Sequence, residues 1–455
     1  MRFKRVKKIH FVGIGGIGMS GIAEVLLNLG YQVSGSDLTS SEVTQRLGKL
    51  GAVIHTGHQA GFVNGADAVV YSSAVKPDNP EVVAARQSKI PVIPRSEMLA
   101  ELMRMKFGIA VAGTHGKTTT TSMIGEILSL AGLDPTIVVG GKVVNLDTNA
   151  KLGQGIYLVA EADEFDRSFL KLTPSIAVIT TLESEHLDCY QNFDEIKRAF
   201  LEFANKVPFY GNVVLCTSEQ SVRDLIPEIH RPLITYGLQP QDDLEATEFD
   251  FHQHQSRFKV KARGTKLGEI LLSVPGVHNV KNSLAAVAVG LELEISWDVI
   301  KQALENFKGV RRRFEIKGIK KEILIVDDYA HHPSEIKATL EAAKQGWHKR
   351  VIAVFQPHLY SRTRDFYQEF GRSFANSDVL ILTDIYPARE EPIPGVSAEL
   401  ILEAAKKTGH PAAFYYTDKK ELLKFLQKTA RSGDMVITLG AGDIYKLGQE
   451  FLQSL

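Results

Sequence analysis

The sequence predicts an α/β protein in three domains, and three observations carry that reading. An apolar strand at Lys8–Val12 runs into the glycine turn Gly13–Gly18 and then into a helix. A second apolar approach, Ile109–Ala112, runs into Gly113-Thr114-His115-Gly116-Lys117-Thr118 and another helix. Beyond Phe307, five apolar strands alternate with helical segments to the end of the sequence. Strand–turn–helix repeats of this kind build parallel sheets with helices on their faces. The length of 455 residues fits three domains of about 150 residues. The expected limits are 1–105, 106–309 and 310–455. The first and last domains read as Rossmann-like, and the central one as a P-loop ATPase-type α/β domain with a small antiparallel addition.

Composition narrows the function class. Lys and Arg total 53 and Asp and Glu total 53, so net charge is near zero. That argues against a nucleic-acid binder or a protein held on anionic membranes. Two cysteines, Cys189 and Cys216, build neither a disulfide framework nor a cysteine zinc site, and a reducing cytoplasm fits. Arg2, Lys4, Arg5, Lys7 and Lys8 precede an apolar stretch, as in a signal peptide. Gly13, Gly15, Gly16 and Gly18 break that stretch, so strand, turn and helix are expected instead. No apolar run approaches the ~20 residues that span a bilayer, so no membrane insertion is expected.

In the first domain, Gly13-Ile-Gly15-Gly16-Ile17-Gly18 lies between a strand and a helix running from Ser20 to Leu29. The next strand, Tyr31–Gly35, ends at Ser36-Asp37, an acid ~20 residues beyond the glycines, as in dinucleotide-binding βαβ units. The pattern predicts a diphosphate-bearing nucleotide. NAD and a nucleotide-sugar use the same cradle. Further strands are expected at Ala52–His55, Ala68–Tyr71 and Val92–Ile93, with helices at Glu81–Gln87 and Glu97–Met105. Ser72 and Ser73 follow a strand's carboxyl end, where they either meet ligand or cap the loop. His58, alone in a loop, reads as structural.

In the central domain, the turn Gly113–Gly116 with Lys117, Thr118 and Thr119 opening a helix has the layout of a phosphate cradle. Backbone N–H groups and the helix N-terminus face an anion, Lys117 reaches outer phosphates and the Thr118 hydroxyl can hold Mg²⁺. The generic pattern wants a glycine where Val111 stands, so the loop is a shortened variant. The strand Ile156–Ala160 delivers Glu161, Asp163 and Glu164, and Ser175–Thr181 delivers Glu183, Glu185, His186 and Asp188. Acids at strand ends beside a phosphate loop hold Mg²⁺. Glu161 is the first such ligand expected and His186 a second. Strands at Arg257–Ala262 and Glu269–Val274 form the antiparallel addition, with His252 and His254 on the surface. Asn279 and Asn282, around the start of the helix Asn282–Glu292, either read a purine edge or cap the helix.

In the last domain, Arg311-Arg312-Arg313 is either a solvated basic turn or a phosphate contact. Strands at Ile323–Asp327, Val351–Phe355, Val379–Thr383, Ala413–Tyr416 and Met435–Leu439 end in polar clusters. These hold Asp327, Asp328, Tyr329, His331 and His332; Gln356, His358, Ser361, Arg362 and Arg364; Asp384, Tyr386, Arg389 and Glu390; and Gly440, Gly442 and Asp443. Polar loops along one sheet edge mark a binding face. Two phosphate loops and a polar cleft predict ATP-driven chemistry on a nucleotide-linked substrate. Were the phosphoryl acceptor a carboxylate, the acyl phosphate would be open to an amine, which defines a ligase.

The set VGIGGIGMSGIAE, AVAGTHGKTTT, EADEFDRSFL, GVHNVKNSLAA, VRRRFE, DDYAHHPSE and FQPHLYSRTRD resembles the Mur ligase family along essentially the whole chain. The family's ATP loop is the short AGTHGKT form, which accounts for Val111. The resemblance implies a cytoplasmic, ATP- and Mg²⁺-dependent enzyme of peptidoglycan precursor synthesis, monomeric or weakly dimeric. Its reaction would join L-alanine to the lactoyl carboxylate of UDP-N-acetylmuramate. Attachment of a whole peptide to the same sugar nucleotide is the alternative, and a nicotinamide oxidoreductase built on Gly13–Gly18 is the rival from another class.

Residue by residue, the resemblance implies that Gly13, Gly15, Gly16, Ile17 and Gly18 hold the UDP diphosphate, with Asp37, Ser72 and Ser73 near the uridine. It places Lys117 on the γ-phosphate, Thr118 and Glu161 on one Mg²⁺, and His186 on a second. It sets His278, Asn279 and Asn282 around the adenine, and Arg313 and Asp327 over ATP. Tyr329, His331 and Arg362 would face the amino acid and the reacting carboxyl. Leu359 stands where relatives often carry Arg, which shifts clamping toward Arg362.

Overall fold

A computed structural model describes residues 5–72, 74–143, 148–184, 189–388 and 390–455. Arg2, Lys4, Ser73, Glu185, His186, Asp188 and Arg389 of the sequence reading lie outside the described residues. The chain divides into two compact units, residues 1–247, 259–270 and 281–307, and residues 248–258, 271–280 and 308–455.

The first sheet holds β1 (Lys8–Val12), β2 (Gln32–Asp37), β3 (Val53–Thr56), β4 (Ala68–Tyr71) and β5 (Val92–Pro94), with α1 (Ile17–Asn28), α2 (Glu42–Lys49), α3 (Pro80–Gln87) and α4 (Arg95–Arg104) between them. Its order is β3-β2-β1-β4-β5, and every neighbour pair is parallel. The central strand β1 is buried from Ile9 to Val12, as a strand covered on both faces must be. The chain leaves α1 through Gly30, at φ +84°. α3 starts where the Asn79 side chain accepts the N–H of Glu81, with Pro80 at the first helical position.

A charged network lies inside this layer. Glu81 and His10 are fully buried. The Glu81 carboxylate accepts from His10 Nε2 at 2.6 Å, His58 Nδ1 at 2.8 Å and Ser36 Oγ at 2.8 Å. Burial pushes its pKa up, but the His10, Ser36 and His58 hydrogen bonds outweigh burial and hold it below the usual glutamate value. His58 is thus a structural residue, as its isolation in the sequence predicts.

The central sheet contains β6 (Phe107–Ala112), β7 (Thr136–Val143), β8 (Thr148–Lys151), β9 (Tyr157–Glu161), β10 (Ile176–Ile179), β11 (Asn212–Cys216), β12 (Leu233–Gly237), β13 (Leu244–His252), β14 (Gln255–Ala262) and β15 (Thr265–Leu272). Its helices are α5 (Lys117–Leu130), α6 (Phe193–Asn205), α7 (Gln220–Arg223), α8 (Val277–Glu292) and α9 (Trp297–Asn306). The order is β15-β14-β13-β12-β11-β10-β6-β9-β7-β8, with β6 parallel to β9 and β10. The antiparallel addition is the β13–β15 end of this same sheet. α1 lies against β7 and β8, and one apolar cluster runs from Ile22 and Leu26 to Val138 and Ala150.

The sequence reading has no strand at β7, β8, β11, β12 or β13. The physical reason is visible for three of these. β7 carries Gly140-Gly141, β8 is the polar run Thr-Asn-Ala-Lys, and β13 is exposed over Glu248–Asp250, so none shows a clean apolar period. Helix α8 starts at Val277, so His278 and Asn279 sit in its first turn rather than before it.

The third sheet contains β16 (Glu315–Lys320), β17 (Ile323–Asp328), β18 (Val351–Phe355), β19 (Val379–Leu382), β20 (Ala413–Tyr415) and β21 (Met435–Leu439). Helices α10 (Pro333–Gly346), α11 (Tyr360–Ser373), α12 (Glu399–Lys407), α13 (Lys419–Thr429) and α14 (Ile444–Ser454) complete it. The order is β16-β17-β21-β18-β19-β20. All pairs are parallel except the edge pair β16–β17. Apolar clusters fill both faces of this sheet. β16 is absent from the sequence reading because Glu-Ile-Lys-Gly-Ile-Lys reads as a loop. Among the described residues, no helix is long and apolar enough to cross a membrane.

Removing the Glu81 carboxylate strands the buried His10 ring and Ser36 hydroxyl. The Glu81→Ala protein is expected to lose about 3–5 kcal/mol of stability, as when one partner of a buried pair is removed. Urea unfolding of the full chain measures this.

Candidate active site

The phosphate cradle sits where β6 ends between two parallel neighbours. Its turn is shaped by steric necessity. Gly113 has φ +137°, and a Cβ there would lie 2.0 Å from Thr180 Oγ1. Gly116 has φ +83°, and a Cβ there would lie 2.5 Å from Asn282 Oδ1. The β10 exit braces the turn from the other side. Thr181 Oγ1 accepts the His115 N–H at 2.8 Å and pairs with Thr114 Oγ1 at 2.8 Å. The Thr180 hydroxyl donates to the His115 carbonyl. Lys117 and Thr118 then open α5.

Lys117 folds back over this turn. Its Nζ donates to the Gly113 carbonyl at 2.6 Å and to both Glu164 carboxylate oxygens at 2.9 Å. The Glu164 side chain is 2% exposed, and the Tyr190 hydroxyl donates to its carbonyl at 2.7 Å. Glu164 thus stands where an anion facing Lys117 would stand. Sequence reasoning places Glu164 in an acidic segment without a role; its burial against the lysine is the missing signal.

The neighbouring strands deliver oxygen donors to the same edge. Glu161 closes β9 in register with Val111 of β6, and Glu183 follows β10 with its Oε2 at 3.4 Å from His115 Nε2. A carboxylate and the Thr118 hydroxyl beside a phosphate turn form a hard-oxygen donor set, which suits Mg²⁺. The residues present fit that ion and fit a nucleotide phosphate. Thr119 is buried behind them in α5.

The first anion loop forms at the switch point of its sheet, between β1 and β4. Gly13 has φ +80°, and a Cβ there would touch the Ser72 Cβ at 3.4 Å. The Gly13 and Ile14 N–H groups donate to the Ser36 carbonyl at 2.9 and 3.0 Å. Asp37 accepts the Gly15 N–H at 2.8 Å, so this acid holds the loop itself. Gly16 precedes α1, Ile17 and Gly18 are its first two residues, and Gly18 abuts the Arg95 side chain.

In the second compact unit, the edge of the third sheet gathers Asp327, Tyr329, His331, His358 and Arg362. Arg312, rather than Arg313, pairs with Asp327, at 3.0 Å. Arg313 pairs with Glu335 at 3.3 Å, and both guanidinium groups lie over the Tyr329 ring, at 5.0 and 5.3 Å. Burial pushes the Asp327 carboxyl above its ordinary value against the pull of Arg312. Asp328, buried and near Arg313, is raised to about 6 because burial outweighs Arg313 and the N–H groups of Phe314 and Ala330. His331 packs edge-on to Tyr329 and to His358, at 5.2 and 5.8 Å. Burial, then the neighbouring His331 and Arg362, hold His358 down at about 3, so its ring is neutral at working pH. Leu359 carries φ +72°, a backbone state costly for a side chain of its kind. That turn starts α11 and sets Arg362 on its first turn. Asn279 in this unit donates to the Pro275 carbonyl at 2.7 Å, in the first turn that also carries His278. Asn282 belongs to the first unit, against Gly116.

Two glycine turns at strand–helix junctions, the second with a lysine and strand-end acids, have the layout of a nucleotide-dependent phosphoryl-transfer class of enzyme. Known proteins narrow the class. Residues 8–107 match the Mur ligase family catalytic domain, residues 111–290 the Mur ligase middle domain, and residues 312–442 the Mur ligase glutamate ligase domain. The chain belongs to the Mur ligase family. It is 54% identical to the UDP-N-acetylmuramate–L-alanine ligase of Geotalea daltonii, over 100% of this chain and 99% of that protein. It is 54% identical to the ligase of the same name from Trichlorobacter lovleyi, over all of both. The crystal structure of a UDP-N-acetylmuramate-alanine ligase from Thermotoga maritima superposes with a TM-score of 0.82 at 30% identity, covering 98% of each chain. A murein peptide ligase from Psychrobacter arcticus gives 0.72 at 25%, again over 98% of each.

The clash at Gly113 makes a sharp expectation. Gly113→Ala displaces the turn or Thr180, and nucleotide affinity measured by calorimetry is expected to fall at least tenfold, about 1.4 kcal/mol. The raised Asp328 gives a second. Its folded value lies above the unfolded 3.8, so the folded state holds the proton longer and stability falls as pH rises from about 4 to about 6. The drop is on the order of 3 kcal/mol, read by urea unfolding across that window, and Asp328→Asn is expected to flatten it.

Proposed function

We propose that the protein joins L-alanine to the lactoyl carboxylate of UDP-N-acetylmuramate at the expense of ATP, through an acyl phosphate. The observation that carries this is the pairing of two anion loops in one compact unit, one at β1 and one at β6. A single-nucleotide enzyme needs one. The full-length similarity to ligases of that printed name selects the substrates, and the 54% identity to them, against 25% to the murein peptide ligase, favours a free amino acid over a peptide.

In this reading, Gly13, Gly15, Gly16, Ile17 and Gly18 bind the diphosphate of the sugar nucleotide, and Asp37, Ser72 and Ser73 serve the uridine. Gly113 to Thr119 bind the ATP phosphates, with Asn282 against the turn and His278 and Asn279 on the same helix facing adenine. Thr118 and Glu161 hold one Mg²⁺ and His186 a second. When bound, Mg²⁺ offsets charge that grows on the transferred phosphoryl group. Lys117 leaves Glu164 for the γ-phosphate and stabilises the same charge from the loop side. Arg313 and Asp327 act on ATP from the third module. Tyr329, His331 and Arg362 hold the amino acid, so that its amine meets the acyl carbon. Excluding water protects that acyl phosphate. The modules are taken as 1–105, 106–309 and 310–455, working in the cytoplasm as a monomer or weak dimer.

ADP release is the test. Turnover is expected with L-alanine, UDP-N-acetylmuramate, ATP and Mg²⁺, and not with the murein tripeptide in place of L-alanine. Lys117→Ala is expected to lower kcat by about 10²–10³ or more, the scale for losing one preorganised charge donor. Chelating Mg²⁺ is expected to stop the reaction. Wild-type turnover by Lys117→Ala would overturn the assignment.

A further inference from the structure

Arg95 lies between the two anion loops and has no role in the reading above. It is the first residue of α4, placed by Pro94 at the carboxyl end of β5. Its guanidinium fills the space that a side chain at residue 18 would occupy. A Cβ on Gly18 would lie 2.8 Å from Arg95 Nη1 and 3.3 Å from its Cζ. Glycine at that position therefore admits a cation to the N-terminal turn of α1, beside the loop that binds the diphosphate. Arg95 Nη2 also lies 3.6 Å from Asp163 Oδ2. Asp163 adjoins Glu164, the carboxylate on Lys117. A line of charged side chains thus runs from the first loop to the second, with the two acids Asp163 and Glu164 between Arg95 and Lys117.

The Arg95–Asp163 contact is too long and too exposed to be a strong bond. The side chains are 28% and 46% exposed, and solvent screens an exposed ion pair so that it contributes little. An arginine matched to so weak a partner, next to an anion loop, is available to a better anion. A diphosphate offers the planar fork bidentate, charge-assisted hydrogen bonds that a carboxylate at 3.6 Å does not.

We infer that Arg95 is a substrate-binding residue that exchanges Asp163 for the diphosphate of the sugar nucleotide. Asp163 then acts as a competitor for the guanidinium, and filling the first loop changes the charge beside Glu164 and Lys117. This inference rests on the sugar-nucleotide reading of the first loop, deepens it by one named cation, and gives the two neighbours opposite effects.

The test is calorimetric titration of UDP-N-acetylmuramate into full-length wild type, Arg95→Ala, Arg95→Lys and Asp163→Asn, with KM for each substrate measured in parallel. Loss of a charge-assisted hydrogen bond predicts that Arg95→Ala weakens sugar-nucleotide binding about 10- to 100-fold. KM for ATP is expected to change much less, and Arg95→Lys to recover part of the loss. Asp163→Asn is expected to tighten sugar-nucleotide binding about two- to fivefold, the scale of a surface ion pair no longer competing. A merely structural bridge would make both partners fail alike, lowering thermal stability and raising both KM values together. That outcome, or an Arg95→Ala affinity equal to wild type, overturns the inference while the ligase reading stands. Wild type that neither binds nor consumes the sugar nucleotide overturns both.

Discussion

The close approach of the β6 turn to the β10 exit is the constraint on which the rest of the site depends. Parallel strands 4.8 Å apart, roughly, leave no room for a side chain between the Gly113 backbone and Thr180. The residue must be glycine at a φ that other residues avoid, and the hydroxyls of Thr180 and Thr181 must take over the hydrogen bonds that regular strand would make. Once those are fixed, α5 begins at Lys117, and β9 sets Glu161 alongside Val111. The same device recurs at lower crowding in the first sheet, where Gly13 meets Ser72 across the switch point. Both loops are consequences of where parallel strands end.

What could be read from the sequence follows from that constraint. Strand, glycine turn and helix occupy contiguous residues, so Lys8–Gly18 and Ile109–Thr118 announce themselves. Central strands buried on both faces are apolar runs, and β1, β6, β17, β18 and β21 were legible for that reason. Edge strands carry mixed residues: β8 is polar and β16 alternates with lysine. Their pairing, which only the folded chain supplies, makes them strands.

The residues hidden from the sequence are those whose meaning is relational. Glu164 looks like one acid among several until the fold buries it against Lys117. Arg312 and Arg313 are adjacent and chemically identical, yet the fold pairs one with Asp327 and the other with Glu335. Asp37 carries the spacing of a ribose-binding acid, and one of its carboxylate oxygens also accepts the Gly15 N–H. Glu81 sits unremarked in a helix start and is the anchor of a buried network with two histidines. Partners distant in sequence leave no local trace.

The carboxylate on Lys117 has a consequence for ligand selectivity. A lysine held by a buried glutamate and a loop carbonyl presents little bare charge to passing anions such as free phosphate or sulfate. On the ligase reading proposed above, an anion reaches the Lys117 Nζ only by displacing Glu164, so negative charge without the fit of a nucleotide tail gains little. A competitor designed for this pocket faces the same built-in rival, and mimicking the phosphate's charge without its geometry would leave Glu164 in place.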